Sequence, residues 1–196
     1  MLKILVIDRC HFTRTGLEAW LNHSERFNRS FLVSGLNNLS LVKEHILQWK
    51  PHLVIADLYG FLNDTLSAQY IAPFFLACGA SPLILLESGG MMSETQRYPV
   101  CASVSKQISL PDLAEHIHNA LLSGSMSESP HNASPLLTPQ EEKVLTMWME
   151  GASNNAIACA LSIHGKTVYT YKRNIRMKLH MDNRFSPFLT PIALKS

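Results

Sequence analysis

Thr138-Pro139-Gln140-Glu141, followed by Val144-Leu145, Trp148 and Gly151, decides how the C-terminal part of the chain folds. A hydroxyl residue, then Pro at the first helical position, then Glu three residues after the hydroxyl is a capping box. Val144, Leu145 and Trp148 fall on one face of the helix it opens, and Gly151 suits the left-handed residue just past its end. Ser153 caps a second, short helix over 154–161, with Ile157, Ala158 and Leu161 inward. After the turn Ser162-Ile163-His164-Gly165, a third helix is predicted from Lys166 to about Leu179. Short helices joined by tight turns read as a helix-turn-helix.

At about 100° per residue, Val168, Tyr171, Ile175 and Leu179 share the packed stripe of the third helix. Lys166, Tyr169, Thr170, Arg173 and Met177 share the opposite one, with Arg176 at its edge. A basic face carrying an aromatic and a hydroxyl suits a helix in the major groove, where Arg engages a guanine edge and flanking cations meet phosphates. Double-stranded DNA is therefore the expected partner, with Lys166, Thr167, Tyr169, Thr170, Lys172, Arg173, Arg176 and Lys178 as candidate contacts. The charge agrees: residues 1–135 carry 9 Lys+Arg against 11 Asp+Glu, and residues 136–196 carry 8 against 4. Only the C-terminal part is basic.

Working back toward the N-terminus, residues 123–135 are small, polar and without periodicity, which is linker composition. Residues 2–8 are a short apolar run ending in an acid, the pattern of a buried parallel strand. A helix follows with Phe12, Gly16, Leu17, Trp20 and Leu21 on one side, then a strand at 31–33 and a helix with Leu39, Val42, Ile46 and Trp49 at helical spacing. Leu53–Asp57 is a second buried strand ending in an acid. A helix over 67–78 broken at Pro73, a strand at 83–86, a loop rich in Gly, Ser and Met, a short strand near 101–105 and a helix at 111–122 complete the series. The fold class is an α/β doubly wound domain over 1–122, a linker over 123–135, and an all-α helix-turn-helix domain over 136–196. Asp8, Asp57 and Lys106 stand at three strand ends, where such sheets bind ligands.

No apolar run reaches the roughly 18 residues of a membrane span, and the N-terminal apolar stretch is short for a signal peptide. Cys10, Cys78, Cys101 and Cys159 lack metal-type spacing and read as reduced thiols of a cytoplasmic protein. No metal and no cofactor is expected, and no catalytic residue stands out, so an enzyme is disfavoured.

The C-terminal motif resembles the LuxR/NarL-type helix-turn-helix. The resemblance rests on Leu137-Thr138-Pro139, Glu141, Val144-Leu145, Gly151, Ser153-Asn154, Ile157-Ala158, Lys166-Thr167-Val168 and Lys178-Leu179. It departs from that pattern at Ala156, where Glu would close a second capping box, and at His164, where Ser commonly caps the recognition helix. Pro187 and Pro191 interrupt the stretch where the family has a dimerisation helix.

The N-terminal part resembles a response-regulator receiver. That resemblance implies a phospho-acceptor at Asp57, with Asp8 and a second acid holding Mg²⁺, a hydroxyl at the end of the fourth strand, and Lys106 closing the clamp. Here the second acid is Arg9, the hydroxyl position holds Glu87 beside Ser88, and Gln107 follows Lys106. Asp8, Arg9, Asp57, Glu87 and Lys106 thus form a degenerate pocket, in which Arg9 or Lys106 is expected to supply the cation the carboxylates need.

Thr13-Arg14, Gly16-Leu17, Met147-Trp148-Met149 and Tyr171-Lys172-Arg173-Asn174-Ile175 resemble the RcsA-type auxiliary regulators. This implies phosphorylation-independent control of surface-structure genes (capsule, fimbriae or biofilm), with an RcsB-like response regulator as heterodimer partner, or as a homodimer. The alternatives are a conventional phosphorylated response regulator and a protein-interaction co-regulator without its own base readout.

Overall fold

The computed structural model describes residues 2–27, 30–62, 69–79, 81–88, 98–123 and 135–181. Most of the Gly/Ser/Met loop, residues 124–134 of the predicted linker and the Pro187–Pro191 stretch lie outside the described residues. The chain divides into two compact units, Met1–Ser134 and Pro135–Ser196. Among the described residues no helix is long and apolar enough to cross a membrane.

In the first unit the strands are β1 (Leu2–Ile7), β2 (Phe31–Leu36), β3 (Leu53–Ala56), β4 (Leu83–Glu87) and β5 (Ala102–Ser105). The helices are α1 (His11–His23), α2 (Val42–Trp49), α3 (Tyr59–Leu62), α4 (Ile71–Cys78) and α5 (Leu110–Ser123). All strand pairs are parallel, in the order β2-β1-β3-β4-β5, which is a doubly wound sheet with its switch point between β1 and β3. The pleat sends Ile4, Val6, Leu53, Ile55, Ile84 and Leu86 to one face, where they meet Leu17 and Leu21 of α1 and Leu113 and Ile117 of α5. The residues between them, such as Leu5, Ile7, Val54 and Leu85, are equally buried and alternate onto the other face. Burial on both faces explains why these strands are unbroken apolar runs.

Several elements differ from the sequence expectation. Pro73 does not break a helix: it is the third residue of α4, in the first turn, where its missing N–H has no intrahelical acceptor to lose. The predicted helix from Leu39 starts as a 3-10 turn over Leu39–Leu41, capped by the Asn38 side chain accepting from Ser40 N–H at 2.9 Å, and becomes α-helical at Val42. β2 continues to Leu36 because β1 pairs with it along its whole length, up to Ile7 opposite Leu36. The single turn α3 had no periodicity to announce it.

The second unit holds α6 (Pro139–Met149), α7 (Asn154–Ala160) and α8 (Gly165–Lys178). The capping box is complete: Glu141 N–H donates to Thr138 Oγ1 at 3.3 Å, and Thr138 N–H donates to Glu141 Oε2 at 2.8 Å. Gly151 takes φ 83°. Its N–H and that of Ala152 close the helix on Trp148 and Met147 carbonyls, both at 3.0 Å. α7 ends the same way on Ser162, at φ 53°. Leu137, Val144, Leu145, Trp148, Ile157, Val168, Ile175 and Leu179 form the buried interior.

His164 is the N-cap of α8, extended at φ −73° and ψ 148°, and its side chain makes no capping bond. His164→Ser places a hydroxyl where an uncapped first-turn N–H waits. It is expected to stabilise this unit by about 0.5–1 kcal/mol, read as a higher urea midpoint for the 135–196 fragment; an unchanged or lower midpoint counts against it.

Candidate functional site

Along α8 the burial divides the side chains by angle. Val168 and Ile175 are buried and Tyr171 is half-buried, whereas Lys166, Tyr169, Thr170 and Arg173 are exposed. Met177 is also exposed, at 62%, beside Tyr169 at 60%. Thr167 and Arg176 are half-buried at the margins of this face.

Two of the cations predicted to face DNA have partners within the unit. Lys178 Nζ donates to Glu141 Oε2 at 2.7 Å, tying the end of α8 to the start of α6. Lys172 Nζ donates to Asn154 Oδ1 at 2.6 Å and lies 4.7 Å from the Trp148 ring centroid. Burial, and then the neighbouring Arg176 charge, push the Lys172 pKa below the ordinary lysine value. Arg176 also leans on Trp148, its guanidinium carbon 6.0 Å from the ring centroid. Trp148 thus anchors two of the five basic residues of α8, Lys172 and Arg176, by cation–π contact. The exposed cations of this helix are Lys166 and Arg173.

At the carboxyl ends of β1 and β3, the switch point of the sheet, Asp8 and Asp57 are buried. Their backbones continue the ladder, Asp8 N–H donating to Leu36 O at 3.1 Å and Asp57 N–H to Ile7 O at 2.8 Å. Lys106, at the end of β5, places its ammonium between them, 2.7 Å from Asp8 Oδ2 and 2.6 Å from Asp57 Oδ2. Burial opposes that charge, but the hydrogen bonds to Asp57 and Asp8 outweigh it and hold the Lys106 pKa above its ordinary value. Asp8 Oδ1 accepts from Cys10 N–H at 2.7 Å and Asp57 Oδ1 from Tyr59 N–H at 2.9 Å.

Glu87 and Arg9, both placed in this pocket by the sequence, make contacts beside it. The Glu87 carboxylate takes the Ser103 hydroxyl of β5. The hydroxyl that reaches Asp57 belongs to Ser88, one residue further on, at 3.0 Å from Oδ2. Arg9 lies across the start of α3, its guanidinium carbon 5.0 Å from the Phe61 ring centroid. A Cβ on Gly60 would lie 3.4 Å from Arg9 Cδ, so the Arg9 stem packs against the start of α3 at ordinary contact distance. The cation on Asp8 and Asp57 is therefore Lys106. Two carboxylates whose Oδ2 atoms both face an ammonium, with a guanidinium in the neighbouring loop, are a poor donor set for a divalent ion. Among the described residues no group of three or more His, Cys, Asp or Glu could hold a metal.

A doubly wound unit with an acid–acid–lysine cluster at its switch point, followed by a three-helix unit with an exposed basic face, is the build of a two-part DNA-binding regulator. Residues 135–186 match the bacterial regulatory proteins of the luxR family. The chain is 65% identical to the transcriptional regulatory protein EntR of Citrobacter freundii, over 97% of each chain. It is 25% identical to the transcriptional regulatory protein RcsA of Klebsiella aerogenes, over 93% of this chain and 89% of that one. Among solved structures it resembles RcsB from Salmonella enterica serovar Typhimurium bound to promoter rprA, at 21% identity, 93% and 94% coverage and a TM-score of 0.46. The chain belongs to the luxR family and is a transcriptional regulator with a DNA-binding helix-turn-helix.

Proposed function

We propose that this regulator reads duplex DNA through the exposed face of α8 and does so without phosphorylation at Asp57. The observation that supports this most is Lys106 bridging Asp8 and Asp57 at 2.7 and 2.6 Å. With Arg9 in place of a second acid, the cluster already holds its own cation, and a divalent ion entering it would meet too little negative charge to bind. Residues 1–122 then serve as a receiver-like docking domain, 123–135 as linker and 136–196 as the DNA-binding domain. The resemblance to RcsA-type regulators supports an RcsB-like response regulator as partner in the cytoplasm, with a homodimer as the other assembly, and surface-structure genes as targets. Of the candidate contacts, Lys166, Thr167, Tyr169, Thr170, Arg173 and Arg176 form the DNA-facing set, and Lys172 and Lys178 stand at its edge with partners inside the unit.

Ser88 on Asp57 favours the second reading, a conventional phosphorylated regulator, because it supplies the hydroxyl such a site uses. One experiment separates the two. Wild type and Asp57→Asn are titrated with promoter DNA, with and without acetyl phosphate and Mg²⁺, and the protein is weighed by mass spectrometry. The expected result is equal affinity in all arms, no acyl phosphate, and affinity that falls with salt at a log–log slope of about −3 per half-site, from roughly three phosphate contacts. A phosphorylated Asp57 with affinity rising in step establishes the conventional mechanism instead. No binding without a partner regulator, and binding with one, establishes a co-regulator.

A further inference from the structure

We propose that Trp148 is a positioning residue, whose ring sets the Arg176 guanidinium and the Lys172 ammonium as one clamp for a single phosphate of the DNA backbone. The inference rests on the reading that α8 meets duplex DNA, and it puts the clamp at the edge of that face. Trp148 belongs to α6 and is buried. Lys172 Nζ stands 4.7 Å from its ring centroid and the Arg176 guanidinium carbon 6.0 Å, both within the reach of cation–π attraction. The two cations are four residues apart on α8 and so lie side by side. Neither meets a carboxylate among the described residues. The partner of Lys172 is a neutral oxygen, Asn154 Oδ1 of α7, at 2.6 Å, and the ion pair of this unit is the one between Lys178 and Glu141.

This cluster is short of negative charge. Burial first, and then the Arg176 charge, lower the Lys172 pKa, so the two cations repel across the ring they share. Of the Arg176 nitrogens only Nε is both buried and without a hydrogen-bond partner, which leaves the outer two open to an incoming anion. Two phosphate oxygens match their fork, and the phosphate charge relieves the repulsion between guanidinium and ammonium. The ring contributes order. An arginine stem has many rotamers, and fixing it on a phosphate costs that freedom. Stacked on a buried ring, Arg176 has given up part of it before DNA arrives, and what is lost beforehand is not lost on binding. Guanidinium suits this arrangement because it stacks on an aromatic face while its donors point outward in its own plane.

The test uses the full chain and a duplex selected from a random pool. Each phosphate of the selected site is replaced singly by an uncharged methylphosphonate, and affinity is read at low salt. One replacement per half-site is expected to weaken wild-type binding roughly ten-fold, the effect of one charge-assisted contact. A chain carrying Lys172→Met and Arg176→Ala together is expected to ignore that replacement while keeping the losses at the other phosphates. Trp148→Phe leaves an apolar ring in the interior with a weaker cation–π face. It is expected to bind about three-fold more weakly, with the loss confined to that one phosphate. Added to Lys172→Met and Arg176→Ala, it is expected to lose nothing more, because the ring then has no cation to position. If Trp148→Phe binds as wild type does, or weakens binding by the same factor with and without the two cations, the ring supports the fold alone and the proposal is wrong. If no phosphate depends on Lys172 and Arg176, there is no clamp. A chain that binds no duplex overturns the reading that α8 meets DNA, a result distinct from binding without the clamp.

Discussion

Lys106→Met is expected to destabilise the N-terminal unit by about 3–5 kcal/mol, the cost of removing one partner from a buried ion pair. The side chains of Asp8 and Asp57 are only 4% and 6% exposed, and the ammonium between them is the cation that both Oδ2 atoms face. Without it two carboxylates confront each other at the switch point of the sheet, held by Ser88 and by the N–H groups of Cys10 and Tyr59. Met preserves most of the lysine stem, so the loss reports the charge and not a cavity. Adding Asp57→Asn to Lys106→Met is expected to recover a large part of the stability, because the carboxylates and the ammonium act as one unit. Thermal unfolding of the four proteins of this cycle measures the coupling; additive effects would show that the lysine stabilises by packing alone. The direction of the Lys106 shift also sets its pH range. Its folded pKa is raised, so its contribution is complete below the ordinary lysine pKa and is lost as pH rises through the folded value. Stability between pH 5 and pH 8 should therefore be insensitive to this group.

How far the sequence could be followed depended on the range of the interaction concerned. Thr138, Glu141 and Gly151 act within one helix turn, and the pattern that announces them is local, so the start and stop of α6 were legible. Asp8, Asp57 and Lys106 stand at strand ends, and the apolar runs before them were enough to bring them together. Which of Glu87 and Ser88 reaches Asp57 was not legible, because side chains alternate in direction only while the strand lasts and β4 ends at Glu87. The contact of Arg9 with Phe61 was not legible for a related reason. The neighbours of Arg9, Gly60 and Phe61, belong to the single turn α3, about fifty residues away, and a small residue opposite a long cation carries no local signal. The clearest case is Lys178. A helical wheel puts it near the basic edge of α8, but its direction is decided by a buried carboxylate on another helix.

That carboxylate gives the other large effect: Glu141→Ala is expected to destabilise the C-terminal unit by about 1–2 kcal/mol. Two contributions add. Loss of the reciprocal capping bond to Thr138 N–H frees an end donor of α6, worth about 1 kcal/mol. Loss of the Lys178 pair removes the link between the two helix ends, and this part is discounted because the Lys178 side chain is 36% exposed and can be rehydrated. Glu141→Gln keeps an oxygen for Thr138 N–H and loses only the charge, so it should fall between wild type and Ala. Acid should mimic the Gln variant. Burial works to raise the Glu141 pKa, but the bonds from Lys178 and Thr138 prevail and the folded value is lowered from 4.5. A group with a depressed folded pKa gives its stability above the unfolded value and loses it as pH falls through the folded one. The wild-type unit should therefore be steady from neutral pH down to about 4.5 and weaken below that, whereas Glu141→Gln should lack this component of the acid transition. Urea midpoints of the 135–196 fragment at a series of pH values decide it. If wild type and Glu141→Gln lose stability in parallel on acidification, Glu141 is not the group whose protonation releases α8 from α6.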